Sequence, residues 1–543
     1  MTVEMPSLDQ SENIGSQAIP QRRHIARAAS IISLGNVTSR MLGLVRETVF
    51  ANQFGSSGAY SAFVAASAIP MMVYDMLIGG LLSSALVPVF SEHAEDRAEL
   101  WRLVSVVLTA ATCFVALLVI VVELTAPWIA AVLVSGFDAE LRALTVRLIR
   151  LVTLAVVLLA VSGVLTGLLY ALKRFTFAAF GAAVYNLGLI VGALVFTRFF
   201  DEPARIYGLA LGMLAGAAGQ LLILLPDLRD QRLRLLFDWR HPALRRIVRL
   251  YLPIALGFLV SHVGIVIDRS LASTTGEQSI GWMRYATTLI QFPLGLVATA
   301  VSLAVLPSLS HLAAHDARDG YRETLYTGVR MVLVLIVPAT VGLYVLAAPI
   351  VSLLFEHGEF TAFDTLWTAR ALRLYLIGLP FAAVDQVLVF GYYARQQTLV
   401  PAAVGALAVG IYLAVALPLV QAFGMLALVL ANSVQWVAHA LIMLWLTRRA
   451  VGTPSGGTLG KFLSRVGLAS ACMGVAVWAA FHAARPLVPG GLVGKVLGVG
   501  APALVGVSMY ALLSVVFGLE EAHAAVRALI ARVQQGRDPA KAV

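Results

Sequence analysis

Apolar runs of roughly 20 residues, separated by short polar breaks, follow one another along nearly the whole chain. A run of about 20 residues crosses a hydrocarbon core of about 30 Å, and runs and breaks together predict fourteen spans. They lie near 25–52, 59–91, 102–127, 143–171, 176–198, 205–226 and 247–272, then 278–310, 326–350, 366–394, 399–420, 423–447, 460–483 and 492–517. The stretch "LEEAHAAVRALIARVQQ" (519–535) reads as an amphipathic surface helix. The pattern predicts an all-α polytopic membrane protein.

Composition agrees. Of 543 residues, 59% are hydrophobic and 13% charged, and the mean hydropathy is +0.87; soluble domains carry about 25% charged residues. The formal charge of +10 is spread over short loops, which fits positive cytoplasmic loops rather than a nucleic-acid partner. Arg22, Arg23 and Arg27, the sixth connection (Arg229 to Arg249), Arg448, Arg449 and Lys461, and the basic tail fall on one side when fourteen spans are counted. Both termini are then cytoplasmic. The third connection, with Arg142, Arg147 and Arg150, runs against the trend. The first 24 residues, with Glu4, Asp9 and Glu12, lack the layout of a signal peptide, so the first span is the expected insertion signal. Cys113 and Cys472 sit singly in different spans, with neither metal-ligand spacing nor a disulfide framework.

An internal repeat sets the organisation. "SALVPVFSEHAEDRAELWRLVSVVL" parallels "SLAVLPSLSHLAAHDARDGYRETLYTGVRMVLVL", "APWIAAVLVSGFDAELRALTVRLIRL" parallels "APIVSLLFEHGEFTAFDTLWTARALRLYL", and "GLLYALKRF" parallels "FGYYARQQTL", at offsets near 220 residues. Six spans are thus repeated in parallel, as in secondary transporters. The expected division is a cytoplasmic tail (1–24), a first lobe (25–226), a basic linker (227–246), a second lobe (247–450), two additional helices (455–517) and an amphipathic cytoplasmic tail (518–543).

Catalytic motifs are missing. "GTPSGGTLGKF" fails as a phosphate loop because Phe462 stands where Ser or Thr must hold the metal. The ten histidines show no HExxH or paired-ligand spacing, and no GxSxG occurs in a strand context. The chain is expected to be a transporter without a cofactor, rather than an enzyme. Ionisable groups inside spans are then the candidates, since they are costly there: Arg40, Arg46, Glu47, Asp75, Asp268, Arg269, Arg284 and Asp385. Ser39 and Arg46, seven residues apart, share one helix face, as do Arg40 and Glu47. Ser39, Arg40, Arg46, Arg269 and Arg284 are read as binding an anionic headgroup, because the guanidinium fork matches a diphosphate. Asp75, Asp268 and Asp385 are coupling or structural acids. The competing readings are an Arg46–Glu47 pair at a span end, an Arg40 paired with Asp75 or a helix-end carbonyl, an interfacial Asp268–Arg269 pair, a snorkelling Arg284 and a structurally paired Asp385. Gly208, Gly212 and Gly216 read as a helix-packing face. Pro70, Pro88, Pro293 and Pro307 mark expected breaks or bends.

Several stretches resemble one family. "NVTSRMLGLVRETVFANQFGSSGAYSAFVAASAIP", "YLPIALGFLVSHVGIVIDRSLAS", "VLPSLS", "EHGEFTAFDTLWTARALRLYLIGLP" and "FGYYARQQTLVPA" are similar to the MurJ (MviN) lipid II flippases, over roughly residues 25–517. These belong to the multidrug/oligosaccharidyl-lipid/polysaccharide exporter superfamily. The resemblance implies two six-helix lobes, and two extra helices forming a lipid-accessible groove. It implies translocation of an undecaprenyl-diphosphate-linked peptidoglycan precursor across the bacterial cytoplasmic (inner) membrane by alternating access. The drive would be Na+, H+ or the membrane potential, and the partners membrane lipids and cell-wall synthesis proteins. The family's Ser-Arg pair matches Ser39 and Arg40, its next arginine Arg46, its Asp-Arg pair Asp268 and Arg269, and its Phe-Thr-x-x-Asp segment Phe360, Thr361 and Asp364.

The chain also departs from the family. Ser61, Tyr74, Asp75 and Gly79 replace its usual charged groups, and Thr288 stands at a cavity arginine, with Arg284 one turn earlier on the same face. Polar residues that some members use for sodium are not evident in "VGALAVGIYLAVALPLV". Export of another polyprenyl-linked glycan, export of a drug or cation, and a non-transporting scaffold remain as alternatives.

Overall fold

The computed structural model describes residues 8–76, 85–228, 234, 236–453, 458–486, 491–519 and 521. Gly79, most of the 519–535 segment and part of the 227–246 linker fall outside the described residues. The described residues form helices and no strand. Eleven helices among them are long and apolar enough to cross a membrane. The remaining expected spans fall on the first helix, on the shorter apolar segment Gly58–Tyr74 and on Pro242–Thr274.

The chain separates into two compact units. Unit 1 comprises Met1–Phe50, Ala65–Ala131 and Ala139–His262, and unit 2 comprises Ala51–Val64, Val132–Asp138 and Val263–Val543. Unit 1 contains most of α1 (Leu8–Phe54), then α3 (Ala68–Tyr74), which follows α2 (Gly58–Ala66), and α4 (Val87–Glu92). It continues through α5 (Arg97–Leu133), α6 (Ala139–Thr153), α7 (Ala155–Ala171), α8 (Thr176–Leu194), α9 (Tyr207–Leu222) and the first part of α10 (Pro242–Thr274). Unit 2 holds the end of α10, α11 (Ser279–Pro293), α12 (Thr299–Ala314), α13 (Arg318–Val345), α14 (Ala347–Phe355) and α15 (Ala362–Ala394). It closes with α16 (Leu399–Phe423), α17 (Met425–Val451), α18 (Thr458–Ala484) and α19 (Leu492–Val516).

In unit 1 the glycine face pins α8 to α9. A Cβ on Gly212 would lie 2.6 Å from the Gly192 Cα, and one on Gly216 only 2.5 Å from the Tyr185 carbonyl oxygen. Lipid tails are as apolar as leucine, so close backbone approach and dispersion supply the attraction that water exclusion gives in soluble proteins. Gly35 does the same for α1: a Cβ there would collide with the Ala179 carbonyl oxygen, so α1 rides directly on α8.

Prolines act as expected at three positions. The α2–α3 break falls at Ser67, within one turn before Pro70, whose ring clashes with the carbonyl four residues back. Pro88 sits in the first turn of α4, where a missing N–H costs nothing. Pro293 closes α11 and opens a π-helical segment, Leu294–Ala298, before α12 resumes. Pro307 differs, because α12 runs through it as one helix.

The Phe360-Thr361-x-x-Asp364 segment is a helix start. Asp364 Oδ2 accepts from the Thr361 backbone N–H (2.8 Å) and hydroxyl (2.9 Å), while Oδ1 accepts from Trp282 Nε1 at 2.9 Å. Phe360 is buried against Tyr285. The motif is a capping box nailed to α11.

Candidate functional site: two arginine clusters and an apolar groove

In unit 1 the arginine of the first span is neutralised from its own helix and oriented by α8. Arg46 donates from Nη2 to Glu47 Oε1 at 2.5 Å and from Nη1 to Asn186 Oδ1 at 2.8 Å. Glu47 is 1% exposed and Arg46 12%, so this is a buried pair rather than one snorkelling to a surface. Asn186 turns its amide onto the Ser39 hydroxyl and carbonyl, both at 3.3 Å. Ser39 and Arg46 therefore do share a face, with Asn186 as the clasp. The Phe50 ring lies 5.8 Å from the Arg46 guanidinium, and Arg46 Nε is buried without a hydrogen bond. Arg40 differs: its side chain is exposed.

Two departures from the family pattern also have local explanations here. Tyr74 stacks on Tyr185, the residue before Asn186, with ring centroids 6.4 Å apart. Asp75 lies on the half-exposed side of unit 1, with Oδ2 3.8 Å from Nε2 of the buried His262.

In unit 2 the second cluster forms where α10, α11 and α16 meet. Tyr412 donates its hydroxyl to Asp268 Oδ1 at 2.8 Å. Arg269 lies within electrostatic range of Asp268, Arg284, Tyr375 and Tyr60, and its Nε makes no hydrogen bond. Of the charges acting on Arg269, one carboxylate stands against a second guanidinium. Thr288 folds its hydroxyl back onto the Arg284 carbonyl at 3.0 Å, so it presents no polar group outward. Ser61 is fully buried and accepts from the Gly281 backbone N–H at 3.3 Å. Asp385 does not stand alone: His439 Nδ1 on α17 approaches its Oδ1 at 2.7 Å.

A cavity of about 950 Å³ opens between α13, α18 and α19. Pro338, Gly342, Met473, Val477, Ala503 and Gly506 line it. Its two hydroxyls face the backbone: Tyr510 donates to the Val334 carbonyl and Ser514 to the Tyr510 carbonyl, each at 2.7 Å. What remains is a hydrocarbon surface.

Near the groove, Lys495 caps α14. Its Nζ donates to the Ser352 and Glu356 carbonyls at 3.2 and 3.1 Å and reaches Glu356 Oε1 at 3.4 Å. Glu356, in the connection after α14, is pushed up by burial. Hydrogen bonds from Thr365 and Ser352 and the Lys495 charge outweigh that and hold it below its ordinary value of 4.5. No group of three or more metal-ligating side chains occurs among the described residues.

An apolar groove and spans that hold arginines each suit a lipid with an anionic head, and the comparisons name a family. A family model described as "Lipid II flippase MurJ" matches residues 50–497. The chain belongs to the MurJ family. The probable lipid II flippase MurJ of Vibrio cholerae is 32% identical over 407 residues, covering 71% of this chain and 76% of the relative. The lipid II flippase MurJ of Burkholderia cenocepacia is 28% identical over 473 residues, covering 84% and 91%. Among solved structures, a lipid II flippase MurJ in an inward closed conformation superposes with a TM-score of 0.76 at 23% identity, over 90% of this chain and 99% of that one. An inward-facing transporter of the multidrug resistance MATE family gives 0.64 at 15%, over 77% and 96%. At these identities the structural likenesses show the shared fold. As a MurJ-family member the chain is a multi-pass membrane protein and a transporter.

Four residues of the two clusters and the acid pairs were not singled out from sequence: Asn186, His262, Tyr412 and His439. Each is a polar side chain inside a long, mostly apolar span, which is the signal that marks it.

Proposed function

We propose that this protein translocates lipid II, the undecaprenyl-diphosphate-linked peptidoglycan precursor, from the inner to the outer leaflet of the bacterial cytoplasmic membrane. It works by alternating access, with both termini cytoplasmic and an ion gradient or the membrane potential as drive. Arg40 and Arg46 in unit 1 and Arg269 and Arg284 in unit 2 engage the diphosphate in the course of translocation, and Ser39 assists through Asn186. The observation that carries this reading is the apolar groove of about 950 Å³ in a chain whose spans hold these arginines. Cell-wall synthesis proteins are the expected partners. The test is complementation of a bacterium depleted of its lipid II flippase, scored by accessibility of the precursor at the outer surface. Growth without surface-exposed precursor would count against it.

A second reading keeps the diphosphate and changes the glycan. It is favoured by Tyr74, Ser61 and Thr288, each committed to packing or to a backbone group where the family carries charge. Translocation of a different polyprenyl-diphosphate glycan in the same assay, with lipid II inert, would select it. Arginine-rich spans disfavour export of a cationic drug.

A further inference from the structure

We propose that Asp385 and His439 form a proton-binding site whose loading and unloading drives translocation, an inference that rests on the flippase reading above. The two side chains are 20% and 15% exposed and meet at 2.7 Å between α15 and α17. The His439 ring is also hydrogen-bonded to the Pro401 carbonyl of α16. A ring between a carboxyl group and a carbonyl satisfies both when one proton is shared with the carboxyl, as imidazolium against carboxylate or as neutral imidazole accepting from the protonated acid. Either way the loaded pair carries no net charge. Losing the proton leaves a lone negative charge among spanning helices, which is strongly disfavoured. The site therefore releases its proton only when the spacing of α15, α16 and α17 changes or water enters. Occupancy tied to conformation is what coupling requires.

The surroundings supply a mover. Gln386, next to Asp385, donates from Nε2 to Thr299 Oγ1 at 3.0 Å. Thr299 opens α12 immediately after the π-helical segment Leu294–Ala298, and π-segments mark sites of local adjustment. On the other side of that segment, α11 carries Arg284. The proton site is thus linked to the broken span that carries an arginine of the unit 2 cluster. α15 itself has Pro380 five residues before Asp385. Among the described residues, the tyrosines and glycines around the pair are uncharged, and Arg395, at the end of α15, lies over the Tyr321 ring at 5.8 Å. Tyr393 follows on α15, α16 offers Gly405 beside His439 Nε2, and α13 presents Gly328 against Val387 and Tyr321 hydrogen-bonded to the Gly391 carbonyl. In one cycle an imidazole nitrogen takes a proton from water on one side and returns it to water on the other, with no electron transfer.

The test uses the full-length protein in vesicles containing lipid II. The membrane potential is clamped by equal potassium and valinomycin, and the leaflet distribution of lipid II is read at steady state. A gradient of about one pH unit is expected to shift that distribution by up to about tenfold per proton carried. Asp385→Asn and His439→Gln are expected to leave it even. An even distribution in the wild type, while lipid II equilibrates between leaflets, overturns the proposal. So does a gradient response retained in both variants. The wild-type arm decides if the variants fail to fold. If lipid II does not move at all in the wild type, the flippase reading fails, and nitrogen NMR of His439 in substrate-free protein judges the site separately. A ring titration that moves in Asp385→Asn supports a shared proton; a ring that titrates identically in wild type and Asp385→Asn overturns it.

Discussion

Arg40 and Arg46 lie six residues apart on one helix and face different energetic situations. Arg46 has Glu47 and Asn186 as fixed partners and is nearly buried, whereas the Arg40 side chain is exposed. Arg40→Ala is expected to abolish complementation at normal expression while leaving thermal stability close to wild type. Full complementation by that variant would contradict its role in binding. Arg46→Ala removes the cation paired with the buried Glu47 carboxylate, a loss of up to about 3–5 kcal/mol for a broken buried pair. Thermal unfolding in detergent should show it, and Arg46→Ala/Glu47→Gln should recover most of the loss without restoring transport. The arginines themselves were legible in the sequence, because charge in an apolar run is conspicuous. Their partners were not: Asn186 lies 140 residues from Arg46, and Tyr412 lies 144 from Asp268. Helical periodicity fixes which residues share a face on one helix and says nothing of which helix comes to meet it.

Among the elements, the glycine face of α9 and the proline breaks were readable because each depends on its own residue type. With no Cβ, Gly212 lets the backbone of α8 approach, and nothing on either helix can retreat. Gly212→Leu is expected to prevent assembly of unit 1, since overpacking costs about 1–3 kcal/mol even where side chains can move. Fluorescence-detected size exclusion should show loss of the monodisperse peak; a normal elution profile would argue against such tight packing. Pro307 was legible as a proline but not as an uninterrupted helix, because neighbouring helices set whether a break follows. The α14 terminus gives a pH prediction. Glu356 is held below its ordinary value, so its carboxylate contributes stability above about pH 4.5, and that contribution disappears as pH falls through the lower folded value. Wild-type melting temperature should drop over that acid range, and Glu356→Gln should flatten the drop.

For the whole molecule, the all-α architecture, the multi-pass membrane class and the family were legible from hydropathy and motif together. The volume of the groove was not, because it depends on how far α19 stands from α13. The groove's physical role follows from its solvent. A polyprenyl chain leaving the bilayer for this apolar surface leaves one hydrocarbon for another, so water exclusion contributes little to its binding. If the arginines hold the headgroup, as proposed above, affinity resides with them and the groove serves to direct the tail. Ala503→Trp, on the groove wall, is therefore expected to slow translocation of full-length substrate at least about tenfold, equivalent to about 1.4 kcal/mol on the barrier. Binding of a diphosphate analogue with a truncated tail should change less than about twofold, and translocation of that analogue should be spared. Equal slowing of long- and short-tailed substrates would show instead that the tryptophan disturbs α13 and α19 themselves, and that the cavity does not guide the tail.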